Sequence, residues 1–233
     1  MRIDLSKTAL LMGSLLWSTL AVPGRAADET DLGIVRVVAA PPGKGTAQFT
    51  ATHLGQGLLL TCGHCCRYSG GPQSPVTVQI LSLRDRRPYR TTPGRVTCYD
   101  NKVDVGFIQL DDPKALTTAY ELAPADFATP LGTGVLQYGW SQELVQLQSV
   151  RTVITSVNLF DGPANLETRD HPHPGDSGAP LVDLKTGKVI GVTTGVDAWD
   201  RFGVHCGIAP IHELMVRCGV TLPMIQQAAG TMP

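Results

Sequence analysis

Short apolar, β-branched runs follow one another along this sequence, and each is cut off by a glycine- or proline-rich break. The runs cover residues 33–39, 57–61, 76–81, 103–110, 134–138, 179–182, 189–194 and 203–208. A further run, 145–157, is long enough for one strand or two. The breaks include Pro41-Pro-Gly-Lys-Gly45, Ser69-Gly-Gly-Pro72, Arg87-Pro88 and Asp161-Gly-Pro163. Such spacing, with almost no helical periodicity, predicts an all-β barrel or sandwich pair. The exception is 210–217, where Ile211, Leu214 and Met215 share one face, so a terminal helix is expected to begin at Pro210. With 42% hydrophobic residues and a net charge of −1, the chain is neither disordered nor built to hold nucleic acid.

Residues 1–26 read as a separate segment. Arg2 and Lys7 precede an apolar run over 9–22, and Gly24-Arg25-Ala26 places small residues where a signal peptidase cuts. The run falls short of the ~20 residues that a bilayer-spanning helix needs. An uncleaved anchor is the alternative. The expectation is therefore a signal peptide over 1–26, a folded domain over 27–233, and a secreted or periplasmic product with no membrane contact after processing. In an oxidising compartment, six cysteines suggest disulfides. Cys206 and Cys218 are near neighbours in sequence and are expected to pair, leaving Cys98 for Cys65 or Cys66. A zinc knuckle within Cys62-Gly-His-Cys-Cys66 competes with this, but it lacks a second well-spaced ligand pair.

The chemistry is concentrated in three places. Pro172-His-Pro-Gly-Asp-Ser-Gly-Ala-Pro180 sets Ser177 in a glycine-flanked turn, where the N–H groups of Gly175 and Ser177 suit an oxyanion. A serine nucleophile needs a base, and His64 stands directly after an apolar strand in Leu60-Thr-Cys-Gly-His-Cys65. The base needs a carboxylate to hold its tautomer. Asp104 is an acid embedded in the apolar stretch 102–110, where burial demands a partner.

On these three motifs the chain resembles the chymotrypsin/trypsin superfamily of serine proteases. Thr61-Cys-Gly-His-Cys65 is similar to its T-A-A-H-C box, 103–110 to its D-I-A-L-x-x-L strand, and Gly175-Asp-Ser-Gly-Ala-Pro180 to its G-D-S-G-G-P box. The order His64, Asp104, Ser177 is also that of the superfamily. The resemblance implies two packed six-stranded antiparallel β-barrels with a C-terminal helix and the site between the barrels. It implies an endopeptidase acting on polypeptides through an acyl-enzyme, with no cofactor or metal. It also places substrate-binding residues at His171, Thr193, Thr194 and Gly195.

The chain departs from the pattern in several positions. Cys62-Gly63 replaces the two alanines, and the half-cystine upstream of the histidine box is missing. His171 stands where trypsin-like members keep a specificity aspartate. No basic activation site precedes Leu32-Gly-Ile-Val35, so pairing of a new N-terminus with Asp176 is not expected. Two other readings compete with the protease: a non-catalytic homologue acting as a binding module, and a metal or redox protein using the cysteine cluster.

Overall fold

Inward-facing β-branched residues build the first barrel. In β4 (Pro75–Ser82), Val76, Val78 and Ile80 are buried while Pro75 and Thr77 face water, the two-residue period of a half-buried strand. A computed structural model of the chain describes residues 30–141, 146–157, 165–170, 172–196 and 202–221. The first barrel closes in the order β1 (Asp31–Ala39), β2 (Ala47–Gly55), β3 (Leu58–Thr61), β6 (Val105–Leu110), β5 (Pro88–Asp100), β4. The second closes as β10 (Pro180–Asp183), β11 (Val189–Val196), β12 (Gly203–Gly207), β9 (Asn165–Thr168), β8 (Gln146–Val157), β7 (Gly134–Ser141). Every pairing between neighbouring strands is antiparallel. The expected pair of six-stranded barrels is the fold. Closure leaves neither barrel with an open sheet edge among the described residues.

A short helix, α1 (Gly63–Tyr68), which the strand-and-turn reading missed, follows β3, and α2 (Ile208–Arg217) ends the described chain. The terminal helix begins two residues before Pro210. Proline is tolerated there because N–H groups of the first turn have no partner within the helix. Residues 1–29, where the signal peptide is expected, and the Asp161-Gly-Pro163 break lie outside the described residues.

One apolar cluster runs through both barrels, joining Leu60 and Phe107 of the first to Trp140, Leu181 and Val192 of the second, and to Ile211 of α2. The barrels are also tied by hydrogen bonds: Thr50 N–H donates to Ser177 O at 2.9 Å and Thr50 Oγ1 donates to Gly175 O at 2.8 Å. This seam positions the candidate site.

The cysteine pairing differs from expectation. Cys98 of β5 bonds Cys218, at the end of α2, with a Cα–Cα distance of 6.4 Å, while Cys62, Cys65, Cys66 and Cys206 are buried free thiols. Sequence proximity misleads here because α2 lies between Cys206 and Cys218. Its ten residues rise about 15 Å, well beyond the reach of a disulfide.

Candidate active site

α1 begins straight after β3, with Cys62 as its N-cap, so His64 enters the helix in its first turn. Gly63 permits this: a Cβ there would stand 2.5 Å from the Asp100 carbonyl. The close approach brings His64 against the turn that carries Asp104. One carboxylate oxygen of Asp104 accepts the His64 backbone N–H at 2.6 Å and the other faces Nδ1 at 2.8 Å. With both oxygens engaged, the carboxylate fixes the ring plane and places the ring proton on Nδ1, leaving the lone pair on Nε2.

Asp104 is not a strand residue as expected. It sits in the turn before β6 with φ of +55°, a left-handed conformation that aspartate tolerates better than most residues. That conformation aims the carboxylate back at α1. The His64 and Asp104 side chains are 39% and 25% exposed, so a ligand can reach the pair from solvent.

Ser177 lies in the turn between the barrels. Gly178, next to it, packs onto Thr50, Thr61 and Cys62, the segment leading into His64. Thr61 Oγ1 donates to Thr50 O at 2.8 Å, so the strand pair holding this turn is itself cross-braced. Among the described residues, no acceptor takes the N–H of Gly175 or of Ser177, which leaves both donors for a ligand. The neighbour of His64 Nε2 is Cys62 Sγ, at 3.6 Å, and no hydrogen bond joins His64 to the Ser177 hydroxyl. Catalytic hydrogen bonds of this kind are often long without substrate and tighten when it binds.

The electrostatics follow from these neighbours. The hydrogen bond to Asp104, then that to Cys62, raise the His64 pKa to about 10 despite partial burial. Burial alone would push the Cys62 thiol up, but hydrogen bonds with Cys65 and His64 outweigh it and hold it at about 7. Burial pushes Cys65 and Cys66 well above the ordinary thiol value.

The other expected site residues divide. Thr193 is fully buried, its Oγ1 3.1 Å from His205 Nδ1, and its backbone N–H and C=O are taken by Ala179 and Gly178. His205 bonds Thr168 Oγ1 at 2.9 Å on its other side, and burial drops its pKa to about 3. Thr193 therefore supports the serine turn from behind. Thr194 is half-buried and donates to Val204 O at 3.0 Å, and Gly195 is half-buried beside it. His171 lies outside the described residues. Asp176 is buried, accepts the His173 N–H at 2.7 Å, and presses against Gly139.

The sequence reading missed two contributors. Thr50 holds the serine turn at both Gly175 and Ser177, and its strand carries too little apolar alternation to be noticed. Cys62 was visible as a departure from the family pattern and as a candidate zinc-knuckle ligand, with nothing to say that its sulfur would face the imidazole beside a catalytic carboxylate.

A family model described as a trypsin-like peptidase domain matches residues 45–192. No curated protein matches the sequence significantly. Among solved structures, a protease from M. tuberculosis in its active form superposes with a TM-score of 0.64 at 18% identity, covering 84% of each chain. An HtrA-type protease with a tripeptide gives 0.62 at 18% identity, covering 81% of this chain and 60% of its own. The serine endoprotease from Yersinia pestis gives 0.64 at 16%, covering 82% and 64%. The chain thus spans less than two thirds of the last two. At such identities the likeness speaks for the fold.

Proposed function

The chain belongs to the trypsin-like peptidase family, and from that premise we propose an exported serine endopeptidase that cleaves polypeptides through an acyl-enzyme. Ser177 attacks the scissile carbonyl. His64 Nε2 takes the hydroxyl proton and later returns it to the departing amine. Asp104 keeps the Nδ1 proton in place and stabilises the imidazolium as it forms. The N–H groups of Gly175 and Ser177 receive the oxyanion, each worth about 3–4 kcal/mol in sites of this type. Water then releases the acyl group by the same proton relay. Thr194 and Gly195, half-buried near the end of β11, line the approach for an extended peptide.

The observation that carries this reading is the two-point hold of Asp104 on His64, at 2.6 and 2.8 Å, beside a serine turn clamped to the same strand pair. Removal of residues 1–26 and export of 27–233 belong to the same reading. The Cys98–Cys218 cross-link suits an oxidising compartment, and no helix among the described residues is long and apolar enough to cross a membrane. N-terminal sequencing of the exported form is expected to start at Ala27.

The direct test is covalent. A fluorophosphonate is expected to label the wild-type chain and leave Ser177→Ala unlabelled, with peptide hydrolysis lost in the same variant. A folded wild-type chain that never takes the probe would instead be a non-catalytic binding homologue.

A further inference from the structure

Acyl transfer makes no use of the thiols gathered around His64. One ligand atom each from Cys62, His64 and Cys65 lie within 4.8 Å of one another, and Cys62 Sγ stands 3.6 Å from His64 Nε2. A tetrahedral zinc, with Zn–S near 2.3 Å and Zn–N near 2.0 Å, sets an S···N edge of about 3.5 Å and an S···S edge of about 3.8 Å. The N-cap and first turn of α1 therefore gather three soft or borderline ligands, and the Cys62–His64 edge matches the spacing that such an ion requires.

A second observation points the same way. A metal-ligating histidine nearly always gives its other ring N–H to a carboxylate, which fixes the tautomer and raises ligand basicity. The Asp104 carboxylate, 2.8 Å from Nδ1, already does this for His64. In the neutral ring the lone pair this leaves on Nε2 can take either a proton or a cation. Cys62 and Cys65 are buried, but the half-exposed imidazole gives an ion a way in, and three protein ligands leave a fourth position for solvent.

We propose that Cys62, His64 and Cys65 form a site for a thiophilic divalent cation of the zinc class, and that its occupancy withdraws His64 from catalysis. The binding half stands on geometry alone. The inhibitory half rests on the protease reading above.

The test uses the full chain with these thiols free, and Co²⁺ as the spectroscopic probe. A near-ultraviolet thiolate-to-cobalt band should saturate at one ion per chain and be displaced by Zn²⁺. It should be lost in Cys65→Ser and kept in Cys66→Ala. Zn²⁺ should suppress fluorophosphonate labelling and a chelator should restore it, while metal-free Cys65→Ser is labelled and no longer responds to Zn²⁺. Absence of the band in the wild-type chain overturns the site, whatever the variants do. A saturating band with labelling untouched by Zn²⁺ overturns the inhibition. A chain that binds cobalt but is never labelled when metal-free keeps the site and overturns both the protease reading and the inhibition.

Discussion

His64 stands between a carboxylate and a thiol, and both favour its charged form. Asp104 contributes most and Cys62 next. Since the base must be neutral to accept the serine proton, the acidic limb of the kcat/KM profile should lie well above the ordinary histidine value of about 6.5. The same shift has a stability consequence of defined sign. A pKa raised on folding stabilises the native state fully below about 6.5, and that contribution fades as pH climbs through the folded value, about 10 here. Cys62→Ala removes the second cause and should move the limb towards neutrality; an unmoved limb would mean that the sulfur does not act on the ring. Asp104→Asn should fold but lose about 10⁴ in kcat, the scale typical of this change in the superfamily, because the amide no longer enforces the tautomer. At this scale the triad was legible, since the chemistry demands three residue types in a characteristic order. The conformation of Asp104 and the position of Cys62 Sγ were not, because both depend on how α1 docks, which no local pattern encodes.

The serine turn is the element on which the site hinges, and Gly178 is where it presses on β2 and β3. Its φ is +87°, and a Cβ there would collide with the Thr50 carbonyl and the Thr61 hydroxyl. Gly132 makes the natural comparison: its φ is +81°, yet nothing lies within 4 Å of where its Cβ would be. Gly132→Ala therefore carries backbone strain alone, about 1 kcal/mol, and should leave labelling of Ser177 intact. Gly178→Ala adds the collision, so it should cost more stability and abolish labelling as the turn is pushed off the seam. Denaturant midpoints and probe reactivity of the two variants check this; equal losses would mean that the packing contributes nothing. Strands such as β4 and β6 were legible because their inward residues are apolar. β5 escaped because its buried positions include Thr92 and Gly94 while Pro88 and Pro93 imitate turns. β2 escaped because Thr50, Thr52 and His53 are buried between neighbouring strands and read as polar surface. β9 escaped because, Leu166 apart, its buried residues are Glu167 and Thr168, which read as polar surface.

Across the whole molecule, the last helix is fastened back onto the first barrel. Cys218 is bonded to Cys98 across 120 residues, and beside it Arg217 Nη2 donates to Asp100 Oδ2 at 2.6 Å. Asp100 also caps the turn leading to Asp104, accepting the Lys102 N–H at 2.7 Å. The pairing of barrels was legible because three motifs in order imply it. This clasp was not, since contact between residues so far apart emerges only when both barrels have closed. The two fasteners differ greatly in weight. Closing a loop of this length removes chain entropy worth about 5 kcal/mol from the unfolded state. The ion pair, with Arg217 56% exposed, is screened and contributes less than about 1 kcal/mol. Cys218→Ser should accordingly lower the denaturant midpoint far more than Arg217→Ala. Reductant should lower the wild-type Tm while leaving that of Cys218→Ser unchanged, because the remaining cysteines are already thiols. If the two substitutions cost the same, the cross-link is not what constrains the unfolded chain. In that case the docking of α2 rests on Ile211, Leu214 and Met215 packed against the shared core.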